Sequence, residues 1–245
     1  MIAALASVHL PAPTAVPHET GRRLLTSGIR LVRASPVSTR ILLTLTTFSL
    51  LSLPYVGLFP AIARLNFGIV EQSPQYNWLY ATWGFGACLG ALSVGTVFVA
   101  WDKRRVIRMG FALFAVSMTG FALAREPIGA FIAGFFLGIA YFCTTTSMLT
   151  VLQGRLQDHE RGRVMSLWFM AFGGTVTIGL LIFGPVVDAI GARWVLLGGA
   201  LWAAFLRWWC DIAAIDESTG YQEGSELLEP GHAASLDEYG ILSAD

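Results

Sequence analysis

DHERGRVMSLWFM, residues 158–170, sets Asp158, His159, Glu160, Arg161 and Arg163 directly against an apolar run that continues almost unbroken to Val187. Charge packed this densely at the edge of a segment this apolar marks a boundary between water and hydrocarbon. The run from Val164 onward is long enough for a bilayer, whose core of about 30 Å needs roughly 20 apolar residues in helical form. Composition agrees with that reading. Hydrophobic residues make up 55% of the chain and charged residues only 13%, and the mean hydropathy is +0.62, outside the usual balance of a soluble globular protein.

Working outward from this stretch, six apolar blocks of 19 to 26 residues stand out: 41–63, 78–100, 106–124, 128–151, 164–189 and 194–215. Each can cross a membrane as a helix at 1.5 Å rise per residue. Helix satisfies every backbone group within its own segment, and no stretch has the short alternating strands of a barrel. The sequence predicts an all-α, polytopic membrane protein. Its bundle spans 41–215, preceded by a cytoplasmic linker over 1–40 and followed by an extension over 216–245. That extension carries eight acids and no Lys or Arg, the composition of a solvated tail.

Lys and Arg fall on alternate loops. Twelve precede the first block, follow the second or follow the fourth, among them Arg22, Arg40, Lys103, Arg108, Arg155 and Arg163, whereas the opposite loops hold Arg64, Arg125 and Arg193. The positive-inside rule therefore puts both termini in the cytoplasm of a multi-pass cell-membrane protein. The net charge of +0 hides this asymmetry because the acidic tail cancels the basic loops. No nucleic-acid partner is expected; the partners are the bilayer and a small molecule.

Several classes are disfavoured. Cys88, Cys143 and Cys210 have no CxxC or His-spaced companion, and His9, His18, His159 and His232 all lie outside the blocks, so neither a metal centre nor a disulfide framework is expected. There is no GxSxG or HExxH for hydrolysis, and no catalytic residue is assigned.

Within the blocks, Gly86 with Gly90 and Gly134 with Gly138 form GxxxG pairs, and Ala171, Thr175 and Gly179 make a small-residue stripe. Such residues let helices approach closely in lipid, whether as static packing or as sliding faces. Pro54, Gly57 and Pro60 should kink the first segment, either lining a cavity or merely accommodating packing, and Gly184 with Pro185 should bend the outer end of the fifth. Arg207 falls inside the last block, where it can snorkel or pair with Asp211 four residues on, with Trp208 and Trp209 as interfacial anchors. A weak aromatic and hydroxylic cavity wall is drawn from Tyr55, Phe59, Tyr80, Trp83, Tyr141, Thr144 to Thr146 (Thr145 central) and Trp168, which suits an amphipathic ligand; core packing would use the same residues.

Gln153 followed by LQDHERGRVMS resembles a pattern of the major facilitator superfamily, in the branch of the enterobactin exporter and its relatives known as transmembrane secretion effectors. Asp158, Arg161, Gly162, Arg163, Val164 and Ser166 match, whereas Gln157 replaces a usual proline and His159 a usual acid. GIRLVRASPVSTRILL, residues 28–43, is similar to the linker leading into that family's seventh helix, and FPAIAR, residues 59–64, agrees as well. The resemblance implies that six helices are the carboxy-terminal half of a twelve-helix fold, and MIAALASVHLPAP looks like the end of the preceding helix. It implies a clamp on the cytoplasmic side, formed by Asp102, Lys103, Arg104 and Arg105 with Asp158, Glu160, Arg161 and Arg163, although basic residues placed only to set topology would look the same. It also implies drug- or siderophore-type efflux without a bound cofactor, driven by a proton gradient. Three readings follow: half of an exporter paired with a separate amino-terminal half, an inactive fragment, or a homodimeric six-helix transporter.

Overall fold

A computed structural model describes residues 22–71 and 73–210, with residues 22–25, 158 and 159 described by backbone alone. The acidic tail, Asp211, the apolar start of the chain and the side chain of Asp158 lie outside the described residues.

All regular elements among the described residues are helical. In chain order they are α1 (Arg22–Ala34), α2 (Pro36–Leu51), a 3₁₀ turn (Leu53–Val56), α3 (Phe59–Phe67), α4 (Pro74–Gly95), α5 (Lys103–Leu123), α6 (Pro127–Gly154), α7 (Asp158–Phe169), a π-helical turn (Met170–Gly174), α8 (Thr175–Ile190) and α9 (Ala192–Trp209). Local sequence sets most of the boundaries. Ser35 and Ser73 each accept a hydrogen bond from the third residue on, Ser38 N at 3.3 Å and Tyr76 N at 3.2 Å, and each is followed by a proline that needs no donor in the first turn. Gly68 closes α3 at φ 65°, a left-handed conformation natural to glycine.

Three helical segments among the described residues are long and apolar enough to cross a membrane: Lys103–Leu123, Pro127–Gly154 and Glu160–Ile190. The six expected spans therefore meet the structure unevenly. The first is cut in two, because α2 covers 16 residues before the chain turns at Leu53–Val56. The second runs Pro74–Gly95 rather than 78–100 and is rich in Tyr, Trp and Gly, which dilute its apolar character. The sixth begins two residues earlier than expected and ends at Trp209, so Arg207 sits in its last turn and not deep within it. Trp194 and Trp208, 66% and 75% exposed, stand near the two ends of α9, where interfacial tryptophans belong. The expected linker contains a helix, α1, and the charged stretch at 158–163 is the first turn of α7 rather than a loop.

The break after α2 is held from two sides. Ser52 Oγ donates to the Gly199 carbonyl of α9 at 2.9 Å in a buried position. Gly179 of α8 is pressed against the Leu50 carbonyl, and a Cβ there would also lie 2.7 Å from Pro54 Cγ. The fifth segment departs from α geometry at Met170–Gly174 and then continues through Pro185 as one helix; the irregularity lies earlier than the bend expected at Gly184 and Pro185.

Elsewhere α4 packs along α6, α6 along α5 and α5 along α9, while α8 lies beside α2. The α4–α6 contact is made backbone to backbone. A Cβ added at Gly86 would overlap the Phe135 carbonyl, one at Gly90 the Ile139 carbonyl, and one at Gly138 the Trp83 carbonyl and, at 2.8 Å, the Ala87 nitrogen. Gly134 differs, since a Cβ there would make only ordinary contacts at 3.7 Å or more.

Candidate functional site

Five of the seven side chains expected in the cavity wall meet at the break between α2 and α3. Tyr55 comes from the 3₁₀ turn, Phe59 opens α3, Tyr80 and Trp83 are one turn apart on α4, and Tyr141 is on α6. Trp83 Nε1 donates to the Tyr55 hydroxyl at 3.1 Å. Phe59 lies 5.4 Å from Tyr80 and 6.3 Å from Trp83 between ring centres, and Trp83 stacks at 6.3 Å and 19° on Tyr141. Tyr141 in turn stacks on Phe172 at 6.5 Å and 9°. Edge and offset contacts of this kind add roughly 0.5–1.5 kcal/mol each beyond the area they bury.

The rings are packed rather than lining an open space. Tyr55, Phe59, Trp83 and Tyr141 are 2%, 1%, 8% and 7% exposed, and only Tyr80, at 41%, presents its ring to the surroundings. Thr145 Oγ1 donates back to the Tyr141 carbonyl at 2.9 Å along its own helix. Trp168 is buried in the same core on α7, outside the ring-to-ring chain among the described residues. Phe172 was not expected there. The signal for it was present in its position between Ala171 and Thr175, but the π-helical turn that aims it at Tyr141 has no mark in the sequence.

Several arginines gather where α2 and α5 start and α9 ends. Arg40, at the start of α2, lies 4.1 Å over the ring of Trp209 at the end of α9. A Cβ at Gly28 of α1 would meet the Arg163 carbonyl of α7 at 3.4 Å, and a cleft joins Arg105 and Arg108 at the start of α5 to Arg207. Arg64 lies in the last turn of α3, Arg125 in the connection between α5 and α6, and Arg193 in the first turn of α9.

Within that belt the charges are used locally. Asp102 caps α5, accepting from Arg104 N at 3.0 Å, with Arg104 Nε at 3.9 Å. Lys103 turns back onto the end of α4: its Nζ donates to the carbonyls of Val94 at 3.3 Å, Val99 at 3.1 Å and also Phe98, the placement that a helix carboxyl end favours for a cation. Glu160 reaches back to Gln157 N at 3.2 Å and completes a capping box, which is why α7 starts where the charge cluster does. Gln153 Nε2 meets Met165 Sδ at 3.5 Å and ties the end of α6 to α7. Arg105 and Arg161 are exposed and Arg163 is half-buried.

A family profile described as transmembrane secretion effector matches residues 1–232. The chain belongs to that family, a branch of the major facilitator transporters. Apolar helices of spanning length and a charged belt at one end are the features of such a membrane-embedded transport protein. The puromycin resistance protein pur8 of Streptomyces alboniger is 25% identical to this chain over 162 residues, 66% of this chain but 32% of that protein. The match thus spans about a third of the relative's length. The family is one of transporters rather than of enzymes.

Proposed function

We propose that this chain is the carboxy-terminal six-helix half of a secondary exporter of small amphipathic compounds, drug- or siderophore-like, in the cell membrane with both ends cytoplasmic. It works against a second six-helix bundle and draws on a proton gradient.

The observation that carries the reading is the state of the Glu160–Ile190 segment. Of its most apolar 18 residues 11% are buried, against 50% in Lys103–Leu123 and in Pro127–Gly154. Its exposed surface carries Ile178, Leu181 and Ile182, which lipid alone would suit, but also Gly173, Gly174 and Thr177, and a Cβ at either glycine would meet nothing within 4 Å. Small exposed residues are what a second helix packs on within a membrane. Transporters of this kind place their moving interface between two such repeats. A homodimer, in which a second copy covers the same face, is the other arrangement this surface favours.

In this reading the aromatic cluster from Tyr55 to Phe172 backs the substrate path, with Tyr80 presented to it, and the helix breaks at Pro54 to Pro60 allow the path to open. Arg161 and Arg163, with Asp158, hold the cytoplasmic side closed through charge-assisted bonds exposed enough to break as the bundles rock.

Deleting the coding sequence from its host tests the function without presuming which second bundle is present. Retention of puromycin and of ethidium in energised cells is expected to rise several-fold, to return when the chain is restored, and to rise equally when a protonophore collapses the gradient. Unchanged retention across a panel of amphipathic compounds would contradict export.

A further inference from the structure

On the α5–α9 side, away from the aromatic cluster, lies an open cleft of 650 Å³. Arg105, Arg108 and Arg207 line one end of it, and Met109, Leu113 and Val116 form a wall that climbs α5. From Met109 to Val116 is two helical turns, about 10 Å of rise. The outer residues of that wall are well exposed, Met109 at 53% and Val116 at 71%, and among the described residues none that lines the cleft is a carboxylate. Trp208, beside Arg207, is 75% exposed, as expected at the level of lipid headgroups.

We propose that this cleft is a binding site for an anionic phospholipid. Three arginines line the cleft, and guanidinium is the side chain best matched to phosphate oxygens, since its planar fork can donate two parallel bonds. The wall beyond them is apolar for the length of the upper part of an acyl chain. Charge at the headgroup level combined with an apolar wall along the spanning helix α5 selects a lipid with a net negative head over a zwitterionic one. A free phosphate would satisfy the arginines but leave the wall uncovered. The acidic tail that follows α9 would meet the same arginines, yet it offers only scattered apolar residues for the groove. In the orientation proposed above, the bound lipid belongs to the cytoplasmic leaflet and links the start of α5 to the end of α9. The site lies apart from the proposed substrate path, so its failure would leave the export reading standing, and the reverse also holds.

Native mass spectrometry of the full chain in a neutral detergent tests the site, with dioleoylphosphatidylglycerol and dioleoylphosphatidylcholine offered at equal concentration. Phosphatidylglycerol is expected to be retained preferentially, in a one-to-one adduct. Surface arginines contribute about fivefold each to such binding, so Arg105→Gln, Arg108→Gln and Arg207→Gln together should weaken it by roughly a hundredfold. The three corresponding Lys variants should keep most of it, which guards against misfolding as the cause of the loss. Arg64→Gln, Arg125→Gln and Arg193→Gln, the same change of charge at the other end, should leave the adduct unchanged. Equal binding by the Gln variant and the parent, equal loss in the control, or displacement of the lipid by millimolar inorganic phosphate would overturn the proposal. So would a full chain with its tail acids neutralised that gains phosphatidylglycerol strongly, since the cleft would then be the tail's.

Discussion

Replacing Gly138 by alanine is expected to destabilise the bundle more than any other single-methyl change in the chain. The added Cβ would overlap the Trp83 carbonyl and stand 2.8 Å from the Ala87 nitrogen, so the obstacle is backbone on both sides and no side chain can swing away. Overpacking a well-filled core costs about 1–3 kcal/mol. Both obstructing atoms belong to the backbone of α4, so α4 and α6 must separate along their whole contact, and the cost should reach the top of that range or exceed it. Gly86 and Gly90 answer from α4, facing the Phe135 and Ile139 carbonyls, so separation loses three close approaches together. Gly84→Ala, on the facing helix α4, is the control: nothing lies within 4 Å of a Cβ there, and the better helix propensity of alanine should leave it neutral or up to about 1 kcal/mol more stable. Thermal unfolding followed by size-exclusion chromatography in detergent separates the two. An early loss of the monodisperse peak for Gly138→Ala and none for Gly84→Ala is expected, and equal melting would contradict the backbone contact.

Trp83→Ala is expected to be the second large loss. Its indole is 8% exposed and touches Phe59, Tyr80, Tyr141 and Phe142, so truncation leaves a cavity no neighbour can fill, at about 3–5 kcal/mol by analogy with other buried aromatics. It also strands the buried Tyr55 hydroxyl, whose partner at 3.1 Å is the Trp83 Nε1–H. Tyr55→Phe removes that hydrogen bond while keeping the ring, and should cost only about 1 kcal/mol. The same thermal assay checks the order: wild type, then Tyr55→Phe slightly lower, then Trp83→Ala far lower. A Trp83→Ala protein as stable as Tyr55→Phe would mean the cluster is not packed as described.

The all-helical fold was legible because nothing competes with helix in an apolar block of this length. So was the interruption near Tyr55, since Pro54, Gly57 and Pro60 cannot all sit in one unbroken helix. Two boundaries were missed although their signals were in view. Ser35–Pro36 and Ser73–Pro74 are cap and first-turn pairs, and both helices start there rather than where apolar density rises. The helix Arg22–Ala34 reads as linker by its arginines, yet Ile29, Leu31 and Val32 set among Arg30 and Arg33 give it one apolar side, and it docks through Gly28 on Leu167. The π-helical turn at Met170–Gly174 was not legible at all, because it reflects tertiary packing of Phe172 and Ala171 rather than local propensity. The charged residues were legible as an end of the molecule but not in their contacts: that Lys103 caps α4 and Glu160 caps α7 depends on where those helices stop and start.

Photo-crosslinking from Thr177 tests the central claim most directly, the claim that the exposed face of α8 meets a second bundle. With p-benzoylphenylalanine in place of Thr177, the protein is irradiated in the membranes of its host and digested, and the linked peptides are identified by mass. Peptide-to-peptide links are expected from this residue to a helix beyond the bundle at 41–215, or to the same region of a second copy. Links to lipid alone would contradict it, and would make Glu160–Ile190 an outer wall of the bundle rather than its working face.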